Sequence, residues 1–185
     1  MKKYILVYGA ISGLIISAFM GISMAIMGCS SGDMDGGSGS MIIGFSAMIV
    51  AFSFIFVGIK NFRDKQNEGI ITFGKAFLIG FMISFLASTM YVITWAVEFH
   101  YFMPDFMDKY SAIQIKQLQS SGISGNELDK AIKKVQDLNI QYKTNPIVFA
   151  LYTYMEILPV GIFISLISAL ILKRKVSKFS EKHSQ

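Results

Sequence analysis

Ala76-Phe-Leu-Ile-Gly-Phe-Met-Ile-Ser-Phe-Leu-Ala-Ser-Thr-Met-Tyr-Val-Ile-Thr-Trp-Ala-Val97 holds no charged residue. A helix rises about 1.5 Å per residue, so about 20 apolar residues cross a hydrocarbon core about 30 Å thick. Soluble helices keep one polar face, and this stretch has none. Three other runs read the same way: Tyr4–Met27 and Met41–Ile59, both uncharged, and Ile147–Leu172, charged only at Glu156. In lipid no water satisfies the backbone, so each run is predicted as an internally bonded helix.

The composition agrees. Apolar residues make up 53% of the 185-residue chain, charged residues 16%, and the mean hydropathy is +0.52. Soluble domains carry about 25% charged residues, so the composition excludes a disordered or fibrous chain and argues against a water-soluble globule. One cysteine and two histidines, His100 and His183, exclude an intrachain disulfide framework and make a metal centre improbable. No catalytic triad, paired carboxylates or Cys/His dyad is discernible, so the reading is non-enzymatic, with no cofactor and no nucleic-acid partner.

Basic residues set the threading. Lys2 and Lys3 precede the first span, Lys60, Arg63, Lys65 and Lys75 separate the second from the third, and Lys173, Arg174, Lys175, Lys178 and Lys182 follow the fourth. The connection 28–40 has no base, and 98–145 is balanced in charge. The positive-inside rule then places both termini in the cytoplasm. The expectation is an all-α, four-span bundle in the cytoplasmic membrane, one integral domain over 1–175, with a cytoplasmic tail over 176–185. Trp95, Phe99, Tyr101 and Phe102 gather at the outer end of the third span, and Tyr4 and Tyr8 at the inner end of the first, as an interfacial belt requires.

The segment 98–145 reads as an extracytoplasmic amphipathic helical hairpin. Pro104 suits a first helical turn, and Phe106, Tyr110, Ile113 and Gln117 follow at helical spacing, with Met107 and Leu118 alongside. Ser124 with Glu127 reads as a capping box for a second helix with the stripe Leu128, Ile132, Val135, Leu138 and Tyr142. The two apolar faces are expected to pack into a small cap.

Membrane helices associate through small residues. The first span carries Gly9, Gly13, Ser17, Gly21 and Ala25, the third Ala76, Gly80, Ser84 and Ser88, and the fourth Gly161, Ser165 and Ala169. These ridges predict a tight bundle, with the lipid bilayer around it and a second copy or another membrane protein as partner. Gly13–Ser17, Gly80–Ser84 and Gly161–Ser165 share Gly-x-x-Ile-Ser, a match that arises easily in apolar helices.

Glu156 is the one ionisable acid or base inside a span, about 14 Å from its outer end at 1.5 Å per residue. A carboxylate there costs several kcal/mol, so the group must be neutral or partnered. Pro159 frees the Met155 carbonyl, and Ser17, Ser46, Ser88, Thr89 and Tyr91 stand at matching depth. A candidate polar site of Glu156, Pro159, Ser88 and Tyr91 follows, either as structural glue or as the centre of a small proton- or cation-linked transporter.

Other motifs fall short. Ile26-Met27-Gly28-Cys29 with Ser30 and Ser31 resembles a lipoprotein cleavage box, but the preceding apolar run far exceeds the usual 7–15 residues. Gly69-Ile-Ile-Thr-Phe-Gly74-Lys75-Ala76 misses the hydroxyl that a phosphate loop needs at its end. Asp33-Met-Asp35-Gly-Gly lacks the later ligands of a calcium loop. Glu98 and His100 are expected to be a solvated pair.

Val57-Gly-Ile-Lys-Asn-Phe-Arg-Asp-Lys65, Gly69-Ile-Ile-Thr-Phe-Gly-Lys-Ala-Phe77, Pro104-Asp-Phe-Met-Asp-Lys-Tyr110, Tyr154-Met-Glu-Ile-Leu-Pro-Val-Gly161 and Ile164–Lys175 together resemble the bacterial membrane family known as domain of unknown function 4199. The resemblance runs over nearly the whole chain. It implies a four-span membrane protein with a helical insert, and assigns no activity and no catalytic residue.

Overall fold

The computed structural model describes residues 1–29 and 38–174, with side chains over 1–23 and 44–174. The Cys29 box, the Asp33 loop, the 176–185 tail and His183 lie outside the described side chains. Six helices follow one another: α1 (Lys2–Cys29), α2 (Ser38–Gln66), α3 (Phe73–Tyr101), α4 (Phe106–Ser120), α5 (Asn126–Thr144) and α6 (Pro146–Leu172). Four of them, α1, α2, α3 and α6, are long and apolar enough to cross a membrane. The expected all-helical architecture is what the chain adopts. Its helices overrun the charge-free stretches at most ends, because helix continues past hydrocarbon into the polar interface.

Helix boundaries have local causes. α2 closes through Glu68 and Gly69, both at positive φ (49° and 78°), with the Gly69 N–H donating to the Arg63 carbonyl at 3.0 Å. α3 starts behind Thr72, whose Oγ1 accepts from the Lys75 N–H at 3.4 Å. Asn145 ends α5 and caps α6, its Oδ1 accepting from the Ile147 N–H at 3.0 Å, while Pro146 occupies the first helical position. The expected Ser124 capping box does not form: Gly125 is the cap residue at φ 66°, and no side chain bonds there. Pro104 likewise stands ahead of α4, which begins at Phe106.

The chain divides into two compact units, Met1–Tyr91 with the chain from Glu156 on, and Val92–Met155. In the first, Phe52, Ile55 and Ile59 of α2, Ile79 and Ile83 of α3 and Ile157 of α6 are fully buried, joined by Ile16 of α1. In the second, Phe99, Met107 and Phe149 form a buried aromatic nucleus with Trp95, Phe106 and Tyr142 packed on it. The indole N–H of Trp95 donates to the Tyr142 hydroxyl at 2.8 Å. There α4 and α5 pack on each other, clamped by Asn139, whose Nδ2 donates to Ser111 Oγ at 2.9 Å, and by a 2.6 Å ion pair between Lys143 and Asp108. This polar clamp turns α4 so that Met107 and Ser111 are buried and Tyr110 is exposed, against the stripe expected from spacing.

Candidate functional site

Three of the four apolar helices meet α3 through small residues. A Cβ added at Gly9 would stand 2.7 Å from Leu86 Cδ2, and one at Gly13 would strike Met90, so α1 lies directly on α3 there. A Cβ at Gly58 of α2 would fall 2.8 Å from Ile83 Cδ1 and 3.0 Å from the Tyr8 ring. Between α3 and α6 the contact is reciprocal, glycine against serine on both helices. Gly80 faces Ser165, with 2.9 Å left for a Cβ, and Gly161 faces Ser84, with 2.8 Å. Each glycine lets the partner helix press its serine into backbone, which is why the pair sits so close.

The hydroxyls of this clasp are satisfied locally. Ser84 Oγ donates to the Gly80 carbonyl at 3.0 Å, Ser165 Oγ to the Gly161 carbonyl at 2.7 Å, and the two oxygens are 3.0 Å apart. Four residues toward the N-terminus of α3 from Gly80, and four toward the C-terminus of α6 from Ser165, stand Ala76 and Ala169, both fully buried. The same antiparallel register ends in a backbone exchange between Ile71 and Arg174, the N–H groups donating at 3.2 and 2.9 Å. Beside it the buried Arg63 guanidinium pairs with Asp64 at 2.6 Å and reaches the Leu172 carbonyl, at the end of α6, at 3.4 Å. A cation there complements the negative end of the helix.

Not every predicted packing residue takes part. Gly21 is exposed, with no described atom within 4 Å of an added Cβ. The ridge on α1 is therefore used over Gly9 and Gly13, where α3 lies on it, and left open at Gly21.

The residues of the candidate polar site differ in burial. Ser88 is fully buried, its Oγ without a hydrogen-bond partner among the described residues, and Tyr91 is buried at 8% exposure. Glu156 and Pro159 are exposed. The α3–α6 register seats Ile157 in the core, and its neighbour Glu156 is exposed. Glu156 makes no hydrogen bond or ion pair among the described residues and shares its helix surface with exposed Phe163, Ile167 and Leu170. The expected Glu98–His100 pair fails. Residues two apart point to opposite sides of a helix, so Glu98 is buried at 8% exposure while His100 is exposed. Among the described residues no three His, Cys, Asp or Glu side chains stand together as a metal site would require.

Four helices long and apolar enough to cross a membrane mark the chain as a multi-pass helical membrane protein. The chain belongs to the family described as Protein of unknown function (DUF4199), whose model matches residues 7–174. No curated protein and no solved structure matches it.

Proposed function

We propose that this chain is a non-enzymatic component of the bacterial cytoplasmic membrane, with both termini in the cytoplasm, and that it acts as an accessory subunit or scaffold for another membrane protein. One observation supports this most directly: Glu156 is exposed on α6 among large apolar side chains. A carboxyl turned toward hydrocarbon is costly, and contact with a neighbouring transmembrane helix relieves that cost. A transporter centred on Glu156 needs the carboxyl on an interior path, and here it lies on the outside of its helix.

Photo-crosslinking tests the proposal. A benzophenone side chain at Phe163 or Ile167 is expected to capture a discrete membrane partner, whereas one at Val50, exposed on α2, captures only lipid. Glu156→Gln is expected to weaken capture while leaving the fold intact. Ion or proton flux in proteoliposomes that disappears with Glu156→Gln would overturn the proposal in favour of transport.

A further inference from the structure

The basic ends of α1, α2, α3 and α6 come together in the first unit. The Met1 nitrogen donates to Gln66 Oε1 at 3.3 Å, which brings Lys2 and Lys3 beside the end of α2. Tyr4 meets the Phe62 ring edge-on at 5.7 Å between centroids. The Ile71–Arg174 exchange brings Lys173 and Arg174 to the α2–α3 connection. The described part of this unit holds eight lysines and arginines, all on these helix ends, against two acids there, Asp64 and Glu68.

Internal contacts use only part of that charge. Arg63 is buried on Asp64 and the Leu172 carbonyl. Lys75 donates to Asn67 Oδ1 at 3.0 Å and stands 5.2 Å from the centre of the Phe62 ring. Lys60 and Arg174 lie in the field of Asp64. Lys2, Lys3, Lys65 and Lys173 are exposed and form no ion pair among the described residues. Exposed lysines on a soluble protein would be ordinary. These ring one end of an apolar bundle, where hydrocarbon gives way to phosphate. Phe73, 37% exposed beside them, offers acyl chains an apolar contact just below that level. On α5, by contrast, Lys130, Lys133 and Lys134 alternate with Glu127, Asp129 and Asp137, and the field cancels.

We infer that this end of the first unit is a binding collar for anionic phospholipid headgroups, selected over zwitterionic ones. Each phosphodiester with net negative charge meets an uncompensated ammonium that water and salt screen only in part.

The full chain, purified in an uncharged detergent, is titrated with phosphatidylglycerol and with phosphatidylcholine, and bound lipid is counted by native mass spectrometry. Phosphatidylglycerol is expected to bind preferentially, by about fivefold per engaged lysine, with the preference falling as salt is raised. The single variant Lys65→Gln is expected to lose about fivefold, and Lys2→Gln/Lys65→Gln/Lys173→Gln on the order of a hundredfold. Lys130→Gln/Lys133→Gln/Lys134→Gln is expected to bind as the parent does, and circular dichroism checks that every variant keeps its helix content. Equal binding of the two lipids, an equal loss in the α5 variant, or full displacement by inorganic phosphate would each overturn the inference.

Discussion

The hydroxyl oxygens of Ser84 and Ser165 stand 3.0 Å apart, and each hydroxyl also faces the carbonyl of the glycine four residues before it. Two protons thus serve three contacts, so one contact is always without its proton. The hydrogen bonds interchange, while the steric fit of serine against glycine stays fixed. Packing therefore carries this interface and the hydroxyl–hydroxyl bond adds little, in line with about 0.6 kcal/mol for an average interhelical bond in a membrane.

A first prediction separates the two terms. Ser165→Ala keeps the methylene and is expected to cost under about 1 kcal/mol. Gly161→Ala forces a Cβ to 2.8 Å from that of Ser84 and is expected to cost about 1–3 kcal/mol, as overpacking does. Adding Ser84→Gly to Gly161→Ala is expected to recover most of that loss. Thermal unfolding in detergent of Ser165→Ala, and of Gly161→Ala, Ser84→Gly and their double variant read as a double-mutant cycle, checks it, and additive losses in the cycle would refute it.

Arg63→Gln removes the buried cation at the end of α6. A charge-assisted bond is worth about 1.5–3 kcal/mol, and the long 3.4 Å contact to Leu172 places this one at the low end. The variant is expected to lose about 1.5 kcal/mol and to be cut faster by trypsin at Lys173 and Arg174, where the backbone exchange with Ile71 loosens. Unchanged cleavage would show that the exchange holds without the cap.

Trp95 is the single tryptophan of the chain and donates to Tyr142. Tyr142→Phe leaves the ring and removes the acceptor. Indole emission is expected to shift to the blue and stability to fall by about 1 kcal/mol, which fluorescence and thermal unfolding measure together. An unshifted spectrum would mean that the indole has another acceptor.

Asp108 titrates below the ordinary carboxylate range because it accepts hydrogen bonds from Lys143 and then from Asn139. A carboxyl whose pKa is lower folded than unfolded stabilises the fold above the unfolded pKa of about 4 and loses that contribution as pH falls through the folded value. The stability difference between the parent and Asp108→Asn is expected to be constant from neutral pH down to about 5 and to vanish in stronger acid. A difference that persisted at low pH would place the effect in packing.

The spans were legible because lipid leaves a plain mark: long stretches without charge, with lysine and arginine on the same set of flanks. The small residues also marked surfaces that touch, at Gly9, Gly13, Gly80 and Gly161. Which way Glu156 points was not legible. α6 is apolar all round, so periodicity carries no phase, and the contacts of Gly161 with Ser84 and of Ser165 with Gly80 set its rotation. On α4 the spacing marked Phe106 and Met107 but not the burial of Ser111 in place of Tyr110, because Asn139, a residue of another helix, determines that through polar contacts. The capping box at Ser124 failed because the glycine beside it took up the left-handed turn first.

The partners in the serine clasp lie 81 positions apart along the chain. A ribosome adding about 5–20 residues per second takes on the order of ten seconds to make that interval. During it α3 already exists, with its glycine-serine side uncovered, while α4, α5 and the start of α6 are still being translated. The nascent α3 must wait against lipid or the insertion machinery until α6, made later, completes its surface.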